Sequence, residues 1–302
     1  MRKCIRDIIV STAAVLVIGA IAWESQVSAA SFIEECKVEH DKDNLVKNGY
    51  AKDRDTSNWQ GSRKVLKDEH SSNFFFVQKG GKRKRCGTNS HLFPVDSTKT
   101  YEISGWFKAT APEAKLVFGL LVYNKEKRSI TSTNINEVKG TLTELIAPCE
   151  PGSKILKVKD ASKWKASKLS YKYAVAFAPK KGLPDFDIAE GITLVEKIDN
   201  GYLVHLSNPC WFKYQAGTKI VQTKSGNNGI YVACVPVPGK WTKFSGIIKG
   251  EVKALSSKSW WSGTKYARVT IISRFKDENA ELLFDNIVIK QVKPKNNSET
   301  WL

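Results

Sequence analysis

The stretch Tyr101-Glu-Ile-Ser-Gly-Trp-Phe-Lys108 alternates between a set of mainly apolar side chains and a set of mainly polar ones. In an extended chain one face carries Tyr101, Ile103, Gly105 and Phe107, and the other carries Glu102, Ser104, Trp106 and Lys108. Successive side chains of a β-strand point to opposite faces, so this period of two predicts a strand with one face buried.

Similar segments recur along the chain and are separated by polar turns rich in Gly, Asn and Pro. They cover residues 73–78, 116–123, 155–158, 173–177, 202–206, 217–222, 229–235, 244–250, 267–273 and 281–292. No sustained apolar repeat of 3.6 residues lies between them, so helices for parallel crossovers are not expected. The pattern predicts an all-β fold, an antiparallel β-sandwich.

The first residues predict export. Arg2, Lys3 and Arg6 precede an apolar run over residues 8–23, and Val27-Ser28-Ala29 offers small residues for cleavage. This is the pattern of a secretory signal peptide, residues 1–29. The run is shorter than the roughly 20 residues that a spanning helix needs, so an uncleaved anchor is the less favoured alternative. We expect a secreted or cell-envelope protein with no membrane span after cleavage.

The chain is strongly basic, with 48 Lys and Arg against 30 Asp and Glu and a net charge of +18. Such a charge favours polyanionic partners, although a solvated, solubilising surface also explains it. A nucleic acid is not the expected partner, because neither a recognition-helix pattern nor an RNA-binding motif occurs.

Five cysteines follow the predicted signal peptide, so an odd number reaches an oxidising compartment. Cys149 and Cys210 each follow a proline and bracket one group of strands, which makes them the best candidates for a disulfide. The alternative is that the cysteines are small buried apolar residues.

Four motifs occur in an order that points to a family: Asn44-Leu-Val-Lys-Asn-Gly49, Lys99 to Ala109 around the alternating stretch, Gly239-Lys-Trp-Thr-Lys-Phe-Ser-Gly246 and Leu282-Leu-Phe-Asp-Asn-Ile-Val-Ile289. Together they resemble the jelly-roll carbohydrate-binding modules of the galactose-binding-like superfamily. The resemblance implies a jelly-roll sandwich and, as an expectation, the binding of a polysaccharide or another glycan. Fold alone does not establish that function.

Residues 141–224 fall outside this pattern and resemble a small β module of bacterial surface proteins. We therefore expect a sandwich built from residues 30–140 and 225–302, with the module inserted between its strands. Because an insertion must leave and re-enter its host at one place, its ends are expected to be neighbours. The module is also where a protein partner is expected to bind.

The resemblance implies a structural calcium site held by a Glu near the start and an Asp on the last strand. Here Lys52 stands at the position of the Glu, while Asp285 matches the Asp. An ammonium group repels a cation, so we expect no cofactor and a Lys52–Asp285 ion pair in place of calcium. Asp53 or Asp55 offers a displaced calcium site as the alternative.

Trp106 is the candidate platform for a sugar ring, which offers one apolar C–H face and a rim of hydroxyl groups. It shares a strand face with Glu102 and Lys108. Tyr123, Arg268, Thr270 and Arg274 are expected to join it from neighbouring strands, and two guanidinium groups would suit carboxylated or sulfated sugars. The alternative is that Trp106 packs beneath a loop and that the arginines are solvated.

Residues near turns are less informative. Trp59, Trp164, Trp211, Trp260 and Trp261 are expected to plug the ends of the β-layers rather than to grip a ligand. Asp185, Asp187 and Glu190 form the densest acidic cluster, which is more typical of a polar loop than of a glycosidase acid/base pair.

The sequence therefore predicts a non-catalytic, exported carbohydrate-binding protein. The alternatives are an architectural or adhesive surface protein that binds a protein partner and, less favoured, a polysaccharide-degrading enzyme.

Overall fold

A computed structural model describes residues 42–61, 64–68, 73–80, 85–111, 114–177, 188–237, 239–252, 254–275 and 277–292. The predicted signal peptide and the acidic residues Asp185 and Asp187 lie outside this part of the chain. Within it, no helix is long and apolar enough to cross a membrane.

The described chain is almost entirely β-structure, and the predicted all-β fold is confirmed. A 3₁₀ turn covers Ala51–Asp53, and one short helix, α1, covers Ser132–Ile135. The strands are β1 (Trp59–Gln60), β2 (Lys64–Lys67), β3 (Phe74–Lys79), β4 (Arg85–Asn89), β5 (Phe93–Pro94), β6 (Thr100–Ala109), β7 (Ala114–Tyr123), β8 (Thr143–Glu144), β9 (Ile155–Val158), β10 (Tyr173–Phe177), β11 (Ile188–Glu190), β12 (Ile192–Ile198), β13 (Gly201–Leu206), β14 (Lys219–Lys224), β15 (Ile230–Val237), β16 (Thr242–Lys249), β17 (Glu251–Val252), β18 (Trp260–Trp261), β19 (Tyr266–Arg274) and β20 (Glu281–Gln291).

Two antiparallel sheets form the sandwich. The six-stranded sheet has the order β1-β4-β19-β7-β15, with β5 also paired to β19, and the five-stranded sheet has the order β16-β6-β20-β3-β2. Strands that follow each other in sequence, such as β6 and β7, lie in different sheets. Each sheet is therefore assembled mainly from residues that are distant in the chain.

The alternating pattern of the opening stretch places apolar side chains between the two sheets. Phe107 of β6 meets Phe118 of β7 across the interior, with 4.9 Å between ring centres, and Phe284 of β20 stacks on Phe76 of β3 at 5.1 Å. All four side chains are fully buried, and each contributes roughly 1.5–3 kcal/mol by leaving water. The core thus fixes which residues of β6, β7 and β19 face outward.

Most of the turn-associated tryptophans are buried, as expected for plugs. Trp260 and Trp261 are 0 % and 1 % exposed, and Trp59 and Trp164 are also buried. Trp211 is the exception at 73 % exposed, so the expectation of a plug is wrong at this position.

Strands β8 to β14 form two further sheets around a core of their own. One sheet has the order β11-β10-β14-β8 and the other β12-β13-β9, and the side chains between them include Leu156, Val175 and Val204. The two ends of this segment are joined by backbone hydrogen bonds from Lys224 to Asn136 at 3.0 Å and from Val138 to Gln222 at 2.9 Å. The chain therefore leaves and returns to the sandwich at one place.

Candidate functional site

The outer face of the six-stranded sheet brings together tyrosines and arginines. In β19, Ala267, Val269 and Ile271 point into the core and are fully buried, so the alternating residues Tyr266, Arg268 and Thr270 face outward. The register pairs Tyr266 with Tyr123, Arg268 with Leu121 and Thr270 with Gly119 of β7. We call Tyr123, Tyr231, Tyr266, Arg268 and Thr270 the tyrosine–arginine face.

Arg268 and Tyr123 form the centre of this face. The guanidinium carbon lies 5.3 Å from the centre of the Tyr123 ring, within the range of a cation–π contact. Arg268 also donates a hydrogen bond to the Tyr123 hydroxyl. Burial raises the pKa of Tyr123 above its ordinary value, while the nearby guanidinium acts in the opposite direction. The phenol therefore stays neutral beside a permanent positive charge.

The guanidinium of Arg268 keeps donors uncommitted. An arginine carries five N–H donors, and within the described residues its hydrogen-bond partner is the Tyr123 hydroxyl. Its Nε–H is buried and makes no hydrogen bond in this part of the chain. Arg268 as a whole is partly exposed, so an acceptor oxygen of a ligand would meet the outer guanidinium N–H groups and not the buried Nε–H.

A second cation lies over the neighbouring ring. Lys127, in the loop after β7, places its Nζ 5.5 Å from the centre of the Tyr266 ring. Since Tyr266 and Tyr123 are directly paired across β19 and β7, two aromatic rings and two cations form one cluster. Anionic groups with apolar surface fit such a cluster.

A glycine allows β15 and β7 to approach each other closely in the middle of the face. A Cβ on Gly119 would lie 2.1 Å from the Ile230 carbonyl oxygen, so β15 approaches β7 more closely there than a side chain permits. Thr270 beside it is fully buried, and Tyr231 of β15 pairs with Gly119 on the far side. The backbone of β15 therefore occupies the space that a side chain at position 119 would take.

Arg274 extends the positive charge along the same strand. It is exposed at the end of β19 and pairs with Lys115. It lies six positions along the strand from Arg268, a distance of about 20 Å at roughly 3.3 Å per residue. The face is thus long enough for several units of an extended polymer.

Trp106 does not form a sugar platform, and this expectation is wrong. The side chain is 1 % exposed and packs with Val77, Trp241 and Leu283. The ring of Trp241, which directly precedes β16, lies 5.8 Å from that of Phe75 of β3, although β6 and β20 separate β16 from β3. A small second apolar cluster therefore covers the outer side of the five-stranded sheet around Trp106.

The other predicted ligand residues are divided between two faces. Glu102 and Lys108 lie on β6 with Trp106, outside the five-stranded sheet, whereas Tyr123, Arg268 and Arg274 lie outside the six-stranded sheet. The outer faces of a sandwich point in opposite directions, with about 10 Å between the sheets. The single groove expected from the sequence is therefore not formed.

The predicted Lys52–Asp285 ion pair is also absent from the described structure. Lys52 is exposed, whereas Asp285 is 5 % exposed and its Oδ1 accepts a hydrogen bond of 2.8 Å from the Ala51 backbone N–H. Burial raises the pKa of Asp285 to about 7, while hydrogen bonds from the Ala51 and Asn286 backbone lower it. Among the described residues, backbone N–H groups and not an ammonium hold this carboxyl.

Asp55, one of the two residues considered for a displaced calcium site, is held by its neighbours. Asp55 accepts hydrogen bonds from Ser57 and Asn48, which lower its pKa. Among the described residues, no group of three or more His, Cys, Asp or Glu is placed to hold a metal ion.

Cys149 and Cys210 are brought into contact but are not joined by a bond. Both are buried free thiols, and a hydrogen bond links their side chains. Burial raises the pKa of Cys210 far above its ordinary value, and the Cys149 thiol adds to this effect. The disulfide therefore stays a prediction, now with the two sulfur atoms as neighbours.

Sequence analysis missed Tyr266, Lys127 and Tyr231. Tyr266 could have been found, because it precedes Arg268 by two residues on the same strand face. Lys127 could not, because the approach of its loop to Tyr266 depends on the pairing of β7 with β19.

Comparisons with known proteins add similar structures but no family. No family model matches the chain, and no curated protein matches it. The tailspike protein 4 enzymatically active domain of bacteriophage CBA120 is similar with a TM-score of 0.36 and 8 % identity, over 83 % of this chain and 22 % of that one. This chain thus spans about a fifth of that protein.

Two carbohydrate-binding modules are also among the similar structures. TmCBM61, solved with beta-1,4-galactotriose, has a TM-score of 0.33 and 8 % identity, covering 82 % of this chain and 99 % of that one. The CBM22-1 xylan-binding domain of Paenibacillus barcinonensis Xyn10C has a TM-score of 0.31 and 13 % identity, covering 79 % and 88 %. These similarities identify neither a ligand nor a reaction for this chain.

Proposed function

We propose that this chain is an exported, non-catalytic carbohydrate-binding protein that holds an acidic polysaccharide on the tyrosine–arginine face. The observation that carries the proposal is the paired Tyr123 and Tyr266 rings with Arg268 and Lys127 over them. Carboxylate or sulfate groups accept from the uncommitted guanidinium donors, and C–H faces of the sugar rings contact the aromatic edges. No bond is made or broken.

The net charge of +18 supports an acidic ligand. Positive charge at long range raises the rate of encounter with a polyanion, while the local cations hold it in place. Because exposed charges are screened by salt, binding to this face weakens as ionic strength rises.

A glycan array with carboxylated, sulfated and neutral polysaccharides tests the proposal. The wild type is expected to bind acidic polysaccharides, and Arg268→Ala to lose most of that signal. Arg54→Ala is a matched control, because Arg54 also makes a cation–π contact, 4.3 Å from the Phe74 ring centre, but outside the tyrosine–arginine face. Silence on every glycan, or equal loss in both variants, contradicts the proposal.

One observation favours a second function, that of an adhesive surface protein. Trp211 and Phe212 are 73 % and 54 % exposed on a loop whose flanks are fixed by backbone hydrogen bonds between Tyr214 and Cys149 and between Cys210 and Ser153. Exposed aromatic residues on a fixed loop are typical of protein interfaces. Under this function Trp211→Ala abolishes attachment to a protein-coated surface and Arg268→Ala does not.

A polysaccharide-degrading activity is tested on the same glycans. Release of reducing ends by the wild type supports the enzymatic alternative and contradicts the non-catalytic proposal.

A further inference from the structure

Strand β16 is the edge of the five-stranded sheet, and a pocket of about 290 Å³ lies against it. Its wall includes Glu102 of β6, Ser245 and Ile247 of β16, Val232 of β15, and Ser257 and Lys258 of the segment before β18. We call this the edge pocket. Its volume is at the lower end of the roughly 300–1,000 Å³ of small-molecule sites, which suits a single ring.

The edge pocket has an aliphatic side. Ile247 is 48 % exposed and pairs directly with Glu102 across β16 and β6, so the two side chains stand on the same face of the sheet. Val232 adds a second aliphatic surface, and a Cβ on Gly246 would lie only 2.8 Å from the Val232 Cβ. The glycine therefore allows β15 to approach the edge strand.

The polar side chains of the edge pocket are uncommitted. Within the part of the chain that the structure describes, the side chains of Glu102, Ser245, Ser257 and Lys258 make no hydrogen bond or ion pair. A carboxylate, two hydroxyl groups and an ammonium thus stand around Ile247 without partners. Polar groups in a few positions on an apolar surface are the usual composition of a small-molecule site.

The segment that carries Ser257 and Lys258 is fixed in place. The Lys249 backbone N–H donates to the Lys258 carbonyl at 2.9 Å, and the Lys258 N–H donates to the Ser256 hydroxyl at 3.0 Å. The indole Nε1–H of buried Trp261 donates to the Ser256 carbonyl at 3.0 Å. Because these contacts within the protein fix the segment, less ordering is needed when a ligand binds.

We propose that the edge pocket binds one neutral hexose unit, at a site separate from the tyrosine–arginine face. The Glu102 carboxylate accepts hydrogen bonds from adjacent sugar hydroxyl groups, Lys258 and the two serines complete the polar rim, and Ile247 contacts the C–H face of the ring. A sugar acid is disfavoured, because its carboxylate would lie close to that of Glu102.

The test is saturation-transfer NMR on the full chain with methyl β-galactoside, methyl β-glucoside and glucuronate. At least one of the methyl glycosides is expected to give a signal, and glucuronate a weaker one when it is measured on Arg268→Ala, in which the tyrosine–arginine face does not hold the carboxylate. Glu102→Ala reduces the affinity for that glycoside about tenfold, because a charge-assisted hydrogen bond contributes roughly 1.5–3 kcal/mol. Ser245→Tyr fills the pocket from an exposed position and removes the signal even if Glu102→Ala fails to fold.

Two control variants separate this proposal from the proposed function. Glu281→Ala removes another half-buried glutamate of the same sheet, at the end of β20 that pairs with Lys79, and is expected to leave the signal unchanged. Arg268→Ala also leaves it unchanged. Three results would overturn the proposal that the edge pocket binds a hexose: no signal with either glycoside in the wild type, a signal unaffected by Ser245→Tyr, or a signal lost only in Arg268→Ala. Each of them leaves the glycan-array result for the tyrosine–arginine face intact.

Discussion

Arg268 lies over the ring of Tyr123, with 5.3 Å between the guanidinium carbon and the ring centre, and donates to its hydroxyl. The two residues stand on neighbouring strands whose register extends over nine residue pairs, from Tyr266–Tyr123 to Arg274–Lys115. A positive group is thereby held on a rigid sheet rather than on a flexible loop. This placement is what makes the outer face of the six-stranded sheet a binding surface in our account.

Tyr123→Phe keeps the ring but removes the acceptor that orients Arg268. We expect the free energy of unfolding to fall by about 1 kcal/mol, the typical value of one hydrogen bond, and binding of acidic polysaccharide to weaken severalfold. Thermal unfolding and titration of the same preparation measure both effects. Unchanged affinity would show that the hydroxyl does not position the guanidinium.

Trp106→Ala is expected to damage the fold rather than a site. The side chain is fully buried beside Trp241 and Leu283, and removal of a buried Trp costs about 3–5 kcal/mol. Denaturant unfolding measures the loss, and Trp106→Phe should lose less because it leaves a smaller cavity. A stable Trp106→Ala variant that selectively loses sugar binding would restore the discarded platform.

Asp285 makes stability depend on pH. Its pKa is raised to about 7 in the folded chain and is about 3.9 when unfolded. Between these two pKa values the Asp285 carboxyl is ionised in the unfolded chain but protonated in the folded chain. The stability that the protonated carboxyl contributes is therefore fully present below pH 4 and is lost as the pH rises toward 7.

Asp285→Asn removes this titration. As the pH rises from 4.5 to 7.5, the variant should therefore gain stability relative to the wild type, which urea unfolding with a chelator present measures at both pH values. Asp55, Asp96, Asp160 and Glu144 have lowered pKa values, so they act in the opposite direction and below about pH 4. An identical stability difference at both pH values would contradict the prediction.

Cys149 and Cys210 are predicted to be a disulfide in the exported protein. Because burial raises the pKa of Cys210, this thiol reacts slowly in the folded protein, and we expect the bond to form before the small β unit closes. Peptide mapping without reductant should show the linked peptides, and reduction should lower stability by about 2–4 kcal/mol. Alkylation of both thiols in unfolded, unreduced protein would rule the bond out.

The period of two in Tyr101–Lys108 predicted the strand and its inner face, and the recurrence of similar segments along the chain predicted the all-β fold. It correctly placed Trp106 outward from the sandwich core, but exposure did not follow, because Trp241 and Phe75 come from strands distant in sequence to cover it. Alternation along one strand contains no information about such long-range cover.

The division of the predicted site has a similar cause. β6 pairs with β20 and β16, whereas β7 pairs with β19 and β15, and this pairing decides that Glu102 and Arg268 lie on opposite outer faces. The strand sequences are compatible with either sheet, so the choice depends on the packing of the whole core. Arg268, Arg274 and Tyr123 lie on one outer face because their strands are adjacent, and their role as ligand residues stays a prediction.

The claim that the tyrosine–arginine face binds an acidic polysaccharide is tested by titrating the wild type and Arg268→Ala with two forms of one polymer. The first is the carboxylated polysaccharide that binds most strongly on the array, and the second is the same polymer after methyl esterification. Our account predicts that the wild type binds the free acid, that added salt weakens this binding, and that esterification or loss of the guanidinium each reduces affinity about tenfold or more. Equal affinity of the wild type for the acid and its ester, or full binding by Arg268→Ala, would contradict it.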